Sequence, residues 1–274
     1  MTTQTVTSLY IYPIKSLAGI SVSTAQATEM GFENDRRWML IDSENQFITQ
    51  RKYLILSQFY PKINSGKIEI SFKNRKHEFA VQEYINSPIF SNVWDDETTV
   101  FEVNTTTSKW FSEMLGFSCK LVKILNKGDR KHESLKLNQV LNVSLADAYP
   151  YLLVGTKSLD FLNEKLEDKI TIQRFRPNIV ISTDLAHQED EMKFFKIGNV
   201  SFQNVKPCAR CILINTNPEN GTVQKEPLRT LSQYRKVDNA VLFGTNVVCL
   251  NEGEIKVGDE LVFNPFSNNP LHDH

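Results

Sequence analysis

The sequence predicts a β-rich α+β protein built in two parts that meet around residues 120–130. Short runs of alternating or β-branched residues recur along most of the chain and are separated by polar turns. Helical periodicity replaces this pattern in only two places, at 108–117 and at 156–166. The polar stretch at 126–139 lies between the two parts, and we interpret it as a linker or a mobile loop.

The first part is predicted to consist mostly of strands. The run SLYIYPIKS is apolar and β-branched as far as Pro13, and the following run ISVSTAQATEM alternates. Residues 36–51 predict a hairpin, because two β-rich runs flank a polar turn at 42–45. Three further runs predict strands at 67–74, 76–82 and 98–103.

Two helices are predicted from residues that share one face. In the first helix these residues are Trp110, Phe111, Met114 and Leu115. The second helix begins at Thr156 or Ser158, either of which can act as its N-cap. Its shared face consists of Leu159, Leu162 and Leu166. The remaining strand-like runs of the second part are 170–182, 192–205, 209–216, 240–250 and 254–263.

The composition limits the classes of partner. The chain has 274 residues, of which 41% are hydrophobic and 23% are charged, and its formal net charge is -1. A nucleic-acid footprint needs a basic excess, so we expect no nucleic-acid partner, although a local cationic pocket stays possible. The N-terminus lacks a signal-peptide pattern and no window reaches 18 apolar residues. We therefore expect a cytoplasmic protein without a membrane span.

The segment KPCARC contains the most reactive residue types of the chain. Cys208 and Cys211 flank Arg210, and a thiol beside a cation is expected to be partly ionised and to act as a nucleophile or a metal ligand. A zinc site is disfavoured because one CxxC supplies only two of four ligands. A thioredoxin-like motif is disfavoured because the next residues resemble a strand. A buried structural pair stays open, beside a single thiolate that binds a transition metal already held by a cofactor.

Basic residues recur in positions where strands end. Arg174 and Arg176 lie two apart, so on a regular strand they would share a face with Asn178 and form an anion cradle. A solvated strand face is the alternative. The predicted hairpin brings further cations to its open end, namely Arg36, Arg37 and Arg51. Lys15 and Ser16 follow Pro13 at a change from strand to loop.

Five separated motifs together resemble one family. They are YPIKSLAG at 12–19, NDRRW at 34–38, RFRPNIVIS at 174–182, KPCARC at 206–211 and IKVGD at 255–259. From about residue 8 to 264, the chain resembles the MOSC proteins. These include the C-terminal domain of molybdenum cofactor sulfurase and the mitochondrial amidoxime reducing component. The resemblance implies an N-terminal β-barrel-like domain at 1–122 packed on a MOSC β-barrel domain at 123–265 with a few helices, and a flexible tail at 266–274.

The resemblance also implies a molybdenum–molybdopterin cofactor. It assigns Cys211 as the metal ligand and leaves Cys208 as a neighbour. It further assigns cofactor contacts to Lys15, Ser16, Arg36, Arg176, Asn178, Arg210 and Asn246. Asp147 matches an aspartate near the metal and would serve with Cys211 in catalysis by passing protons. The sulfurase also associates the family with pyridoxal phosphate binding, but its aminotransferase-like domain has no counterpart here, so we expect no cysteine desulfurase.

Two functions follow from this resemblance. The first is a molybdenum-dependent oxidoreductase that reduces N-hydroxylated compounds, such as amidoximes, hydroxylamines and N-hydroxylated bases. Its electrons would come from a separate protein of the flavoprotein or the ferredoxin/cytochrome type. The second is a carrier of the molybdenum cofactor or of persulfide sulfur. A MOSC-like scaffold that has lost its cofactor is the third possibility.

Overall fold

The computed structural model describes residues 3–263, and the predicted tail at 266–274 lies outside them. In chain order the strands are β1 (Gln4–Ile11), β2 (Ile20–Val22), β3 (Thr24–Thr28), β4 (Gly31–Phe32), β5 (Trp38–Ile41), β6 (Tyr60–Asn64), β7 (Lys67–Phe72), β8 (Arg75–Ala80), β9 (Pro88–Val93), β10 (Asp96–Glu102), β11 (Lys120–Lys123), β12 (Lys131–Ser134), β13 (Gln139–Asn142), β14 (Tyr151–Gly155), β15 (Ile179–Ile181), β16 (Phe194–Ile197), β17 (Val200–Arg210), β18 (Lys236–Val237), β19 (Ala240–Cys249), β20 (Gly253–Lys256) and β21 (Glu260–Phe263). The α-helices are α1 (Thr105–Leu115), α2 (Thr156–Asn163) and α3 (Leu228–Tyr234). The predicted strand-rich fold with few helices is confirmed. Among residues 3–263, no helix has the length and apolar character needed to cross a bilayer.

Seven strands close into a barrel that draws on both ends of the chain. Their order is β14-β15-β1-β21-β16-β17-β19, and β19 pairs back with β14 to complete the ring. β1 pairs on one side with β15 and on the other with β21, so the first strand belongs to the same sheet as the last. Buried side chains from the barrel strands fill its core, among them Leu9, Leu153, Ile179, Phe195, Phe202 and Val247. The barrel therefore fixes where the loop after β1 leaves the sheet.

Most other strands of the first part form two smaller sheets, whereas β3 and β4 pair with β20. One sheet has the order β5-β11-β10-β9 and the other has the order β6-β7-β8. In β7 the residues alternate, with Ile68, Ile70 and Phe72 buried in a second core. Helix α1 covers this core with Phe111, which packs against the ring of Phe59 with 5.6 Å between centroids.

The two predicted helices exist, but only the first is capped by a side chain. Helix α1 begins three residues before the predicted start, because the Asn104 side chain accepts the Thr107 N–H at 2.7 Å. It ends at Gly116, whose φ of 78° suits a left-handed cap. In α2 the N-cap position is Gly155, so neither predicted capping residue serves there. The Ser158 hydroxyl instead donates to the buried carboxylate of Glu189 at 2.7 and 2.8 Å.

Two interpretations of the first part need correction. The predicted hairpin at 36–51 has its first strand and its turn, but its return arm is not a continuous strand. Phe47 forms an isolated bridge with Ile41, Gln46 forms another with Asn92, and the Ile48 N–H donates to Leu40 O at 2.8 Å. The segment at 126–139 is not an irregular loop throughout. It contributes most of the hairpin formed by β12 and β13, which pair in antiparallel fashion. Its polar sequence is explained by pairing outside the main sheets, where side chains on both faces can meet solvent.

Arg130, which lies in this corrected segment, is buried and ties three parts of the chain together. Its Nη1 donates to Ser144 O at 2.7 Å and to Ala146 O at 2.5 Å. Its Nη2 donates to the Asp96 carboxylate at 2.8 Å and to Asp147 O at 3.3 Å. A single buried guanidinium thus fixes the loop that carries Asp147, and its charge is balanced by one carboxylate.

We predict that Arg130→Met lowers the free energy of unfolding by about 3 kcal/mol, because it leaves three loop carbonyls without their donor and removes the buried cation that pairs with Asp96. Urea denaturation with a fixed m-value measures the change. Arg75→Met is the matched control, since Arg75 is exposed and should change stability by less than about 0.5 kcal/mol. Equal effects of the two substitutions would contradict the structural role of Arg130.

Candidate functional site

A cavity of about 320 Å³ opens between the barrel and the first part of the chain. All nine residues predicted for the site lie around it, namely Lys15, Ser16, Arg36, Asp147, Arg176, Asn178, Arg210, Cys211 and Asn246. A larger surface groove of about 440 Å³ beside α2 contains none of them. Residues separated by more than two hundred positions in the sequence therefore converge at one site.

The cavity is strongly basic although the chain as a whole is nearly neutral. Six basic side chains contribute to its walls, namely Lys15, Arg36, Arg51, Arg176, Lys206 and Arg210. Asp147 is the one acidic residue among the lining residues described. Six positive side chains around one cavity repel one another. An anionic ligand is favoured there because it attracts all of them.

The deepest part of the site is built on a buried carboxylate, Asp35. Its two oxygens accept the Tyr12 N–H at 2.7 Å and the Arg36 Nη1 at 2.6 Å. The same Nη1 also donates to the Asn178 side-chain oxygen at 2.8 Å. Asn178 is buried, and its side-chain nitrogen donates to Tyr10 O at 3.2 Å. Arg36 is therefore held at a fixed angle by partners from both parts of the chain.

The Tyr12 ring contacts two of the arginines. The guanidinium carbons of Arg36 and Arg176 lie 4.4 and 4.2 Å from its ring centroid. Arg176 donates to Leu17 O at 2.7 Å, and burial lowers its pKa to about 10. Ser16, Arg36 and Arg176 all have positive φ, at 73°, 48° and 55°. Such backbone conformations are uncommon outside glycine and cluster at functional sites.

The predicted pairing of Arg174 with Arg176 on one strand face is wrong. Residues Ile172–Phe175 form a 3-10 helix, and the strand β15 begins only after Asn178. Arg174 consequently points away from the cavity and donates to Asn215 O at 3.2 Å and to the Gln224 side chain at 3.1 Å. Arg176 and Asn178 reach the site through a left-handed turn instead of through strand alternation.

Lys15 and Asp147 form an ion pair at the cavity wall. The Lys15 Nζ lies 2.5 Å from Asp147 Oδ1 and 2.9 Å from Leu145 O. Burial lowers the pKa of Lys15 to about 8, although Asp147 raises it again in part. For Asp147, burial raises the pKa, but the charges of Lys15 and Arg51 outweigh this and hold it well below the usual range. Asp147 is therefore a carboxylate at neutral pH.

Arg51 connects this ion pair to the cysteine of the motif. Its Nε donates to Cys211 Sγ at 3.3 Å, and its Nη2 donates to Asp147 Oδ2 at 3.3 Å. Its guanidinium carbon also lies 4.4 Å from the ring centroid of Trp94.

The run after Arg210 is not the predicted strand: β17 ends at Arg210, and Ile212–Asn215 form a 3-10 helix that starts from Cys211. This change of direction places the Cys211 sulfur at the cavity.

Cys208 lies in the same cavity but has a different partner. It accepts from Arg210 Nη1 at 3.1 Å, while Arg210 Nη2 donates to Phe175 O at 2.7 Å. Asn246 also lines the cavity and lies inside strand β19. Within residues 3–263, no three His, Cys, Asp or Glu side chains form a group that could hold a metal. A metal on Cys211 would therefore need most of its ligands from a cofactor.

The site also contains residues that the sequence did not single out. Trp94, Tyr149 and Lys206 line the cavity. Trp94 has φ 57° in the turn between β9 and β10. The one sequence feature that could have identified Trp94 was a large aromatic residue in a tight polar turn. Arg51 was identified only as one of several cations at the end of the predicted hairpin.

Comparison with known proteins agrees with this architecture. The MOSC N-terminal beta barrel domain matches residues 3–118, and the MOSC domain matches residues 141–262. Mitochondrial amidoxime-reducing component 1 of Mus musculus is 32% identical over 275 residues, covering 93% of this chain and 81% of that protein. The Homo sapiens protein of the same name is also 32% identical, with the same coverage. Molybdenum cofactor sulfurase of Arabidopsis thaliana is 31% identical over 87% of this chain, which spans only 32% of that protein.

The chain belongs to the family of MOSC-domain proteins that carry an N-terminal MOSC β-barrel domain. The predicted resemblance is thereby confirmed. Among solved structures, the YUAD protein from Bacillus subtilis aligns over 95% of this chain and 94% of its own, with 10% identity and a TM-score of 0.40.

We predict that Asp147→Asn lowers the pKa of Lys15 below its value of about 8, because the substitution removes the attraction that partly offsets burial. An NMR titration of protein labelled at the lysine Nζ and Cε measures it, with the signal assigned by its loss in Lys15→Arg. Asp160→Asn is the matched control, since Asp160 pairs with exposed Lys157 and should leave Lys15 unchanged. A Lys15 pKa near 10.5 in the unsubstituted protein would contradict the burial of its charge.

Proposed function

We propose that this protein is a molybdenum-cofactor-dependent oxidoreductase that reduces N-hydroxylated compounds, with electrons from a separate redox protein of the flavoprotein or the ferredoxin/cytochrome type. The observation that carries the proposal is a strongly basic cavity with the sulfur of Cys211 at its edge. The extent of similarity also supports it. The chain spans 81% of the amidoxime-reducing components but only a third of the sulfurases.

The residues present fit a phosphate-bearing metal cofactor. Lys15, Ser16, Arg36, Arg176, Asn178, Arg210 and Asn246 would hold it, and Cys211 would bind the metal. Within the described residues, the Arg210 Nε is buried without a hydrogen-bond partner, so it is an available donor for a ligand. The cofactor would supply a metal centre that exchanges two electrons. Pyridoxal phosphate is not part of this proposal, because the matched region is a minor part of the sulfurases.

The ion pair of Lys15 and Asp147 suits the proton requirement of this reaction. Reduction of an amidoxime to an amidine breaks the N–O bond, consumes two electrons and two protons, and releases water. The electrons come from the donor protein. The expected role of Asp147 as the proton donor is modified here: its low pKa keeps it ionised, so Lys15 is the member of the pair that holds a proton. A lysine with a pKa of about 8 can release and regain a proton near neutral pH.

A carrier of cofactor or of persulfide sulfur is the second candidate. The observation that favours it is the presence of Cys208 in the same cavity as Cys211, with its own guanidinium donor at 3.1 Å. Two thiols that share one site and have separate cationic partners can pass sulfur between them. A carrier would release its cargo to a second protein, whereas a reductase would retain its cofactor through many turnovers.

We predict that Cys211→Ser lowers the rate of amidoxime reduction by more than about 100-fold, because loss of a direct metal ligand exceeds the effect of losing a supporting contact. Protein from a cofactor-competent host is compared with Cys208→Ser as the matched control. Molybdenum content and reduction of benzamidoxime with a chemical electron donor are measured. We expect near-stoichiometric molybdenum in the unsubstituted protein and in Cys208→Ser.

Two results would count against the reductase. One is transfer of molybdenum cofactor to a cofactor-free acceptor enzyme without any reduction of benzamidoxime, which would establish the carrier. The other is equal loss of molybdenum in both cysteine variants, which would show that Cys211 is not the specific ligand.

A further inference from the structure

Arg174 is a buried cation that lies outside the cavity. It is 8% exposed and does not line the cavity. Its guanidinium donates to Asn215 O at 3.2 Å and to the Gln224 side-chain oxygen at 3.1 Å, which are both neutral acceptors. Burying a charge on neutral acceptors costs free energy, and an apolar side chain would avoid that cost. The guanidinium therefore points to a requirement for its two hydrogen bonds.

The first acceptor of Arg174 ends the helix that carries Cys211. The 3-10 helix Ile212–Asn215 starts from Cys211, whose carbonyl oxygen accepts the Ile214 N–H at 3.3 Å. Asn215 is buried and is the last residue of this helix. A 3-10 helix of one turn has few hydrogen bonds of its own, so contacts at its end help to determine where its first residue lies.

The second acceptor belongs to the loop that returns from this helix. The Gln224 N–H donates to Asn215 O at 3.0 Å, so Arg174 binds both ends of the loop at 216–223. The tip of the loop lies on the first part of the chain, where Gln58 Nε2 donates to Asn220 O at 3.1 Å. Arg174 thus closes the base of a loop that contacts both parts of the chain.

The backbone of Arg174 belongs to the element that carries Arg176. Residues Ile172–Phe175 form a 3-10 helix that ends at Arg176. The core fixes this helix, since the ring of Phe175 is buried and stacks on Phe243 with 3.9 Å between centroids. The two 3-10 helices pack against each other. The guanidinium thus ties a helix fixed in the core to the helix that carries the cysteine.

We propose that Arg174 is a positioning residue that sets the placement of the Cys211 sulfur relative to the Arg176 guanidinium. The inference rests on the proposed function for the role of Cys211 as a metal ligand. A cofactor bound through its metal at one end and through an anionic group at the other needs these two side chains at a fixed separation. Arg174 itself touches neither the cofactor nor the substrate.

The first measurement uses the cofactor-free protein, isotope-labelled at the cysteine Cβ. The resonances of Cys208 and Cys211 are assigned by their loss in the corresponding serine variants. Arg174→Met should shift the Cys211 resonance and leave that of Cys208, which lies within β17, in place. Lys123→Met is the matched control, because Lys123 is also 8% exposed and donates to a neutral acceptor, Val81 O, at 2.6 Å. It should move neither resonance.

The second measurement uses the molybdenum-loaded protein. We expect Arg174→Met to lower kcat per molybdenum for benzamidoxime about tenfold with little change in KM, because the residue lies outside the cavity. The electron paramagnetic resonance signal of the partly reduced metal should change as well, since it reports the ligand geometry. Loss of stability alone would lower the amount of folded protein and would leave both the signal and kcat per molybdenum unchanged.

Gln224→Ala is a milder variant, because it removes one acceptor from an exposed residue and leaves the buried cation in place. It should shift the Cys211 resonance in the same direction by a smaller amount. If the unsubstituted protein takes up no molybdenum, the proposed function fails, and the resonances still decide whether Arg174 places the cysteine. A Cys211 resonance that stays in place in both variants, or a metal signal and kcat that are unchanged in Arg174→Met, overturns the inference.

Discussion

Repulsion among six like-charged side chains around one cavity is the constraint on which the rest of this structure depends. The protein meets it with two carboxylates, since Asp147 pairs with Lys15 and Arg51 and Asp35 pairs with Arg36, and otherwise with neutral oxygens. Lys15, Arg176 and Arg210 donate to the backbone oxygens of Leu145, Leu17 and Phe175 at 2.7 to 2.9 Å. Carbonyl dipoles orient a cation without cancelling its charge, so the cavity keeps a positive potential for an anionic ligand. Full neutralisation by carboxylates would have stabilised the protein at the expense of that potential.

The closed barrel makes this arrangement possible because it joins distant parts of the chain. β1 lies between β15 and β21, which brings the loop holding Lys15, Ser16 and Leu17 against the turn holding Arg176. Asn178 pairs with the backbone on both sides, since Tyr10 donates to its carbonyl and its own N–H donates to Leu152. A cation placed on such a framework loses little further entropy when a ligand binds.

The sequence allowed the residues of the site to be predicted, but not the backbone conformations that bring their side chains into the cavity. The motifs of Lys15, Arg36 and Cys211 are local and could be recognised. Strand alternation failed at Arg176 because Ile172–Phe175 form a 3-10 helix that ends in a left-handed turn at Arg176, although a residue before proline usually prefers extended backbone. The buried role of Arg130 was hidden because three of its four acceptors are backbone carbonyls, which no side-chain pattern encodes. Trp94 was missed because its contacts, with Phe47, Arg51 and Asp147, depend wholly on tertiary structure.

Lys15 and Arg51 both hold Asp147, but they are anchored very differently. Lys15 follows a barrel strand, is buried, and is also bonded to a backbone oxygen. Arg51 follows the irregular return arm of the incomplete hairpin, and its side chain is one-third exposed. Any ligand that takes the sulfur of Cys211 competes with Arg51 for that atom, whereas the Lys15 pair keeps its geometry. Arg51 is thus the partner of Asp147 that can move without disturbing the barrel. If a ligand at the Cys211 sulfur displaces Arg51, Asp147 loses its hydrogen bond from Arg51 as well.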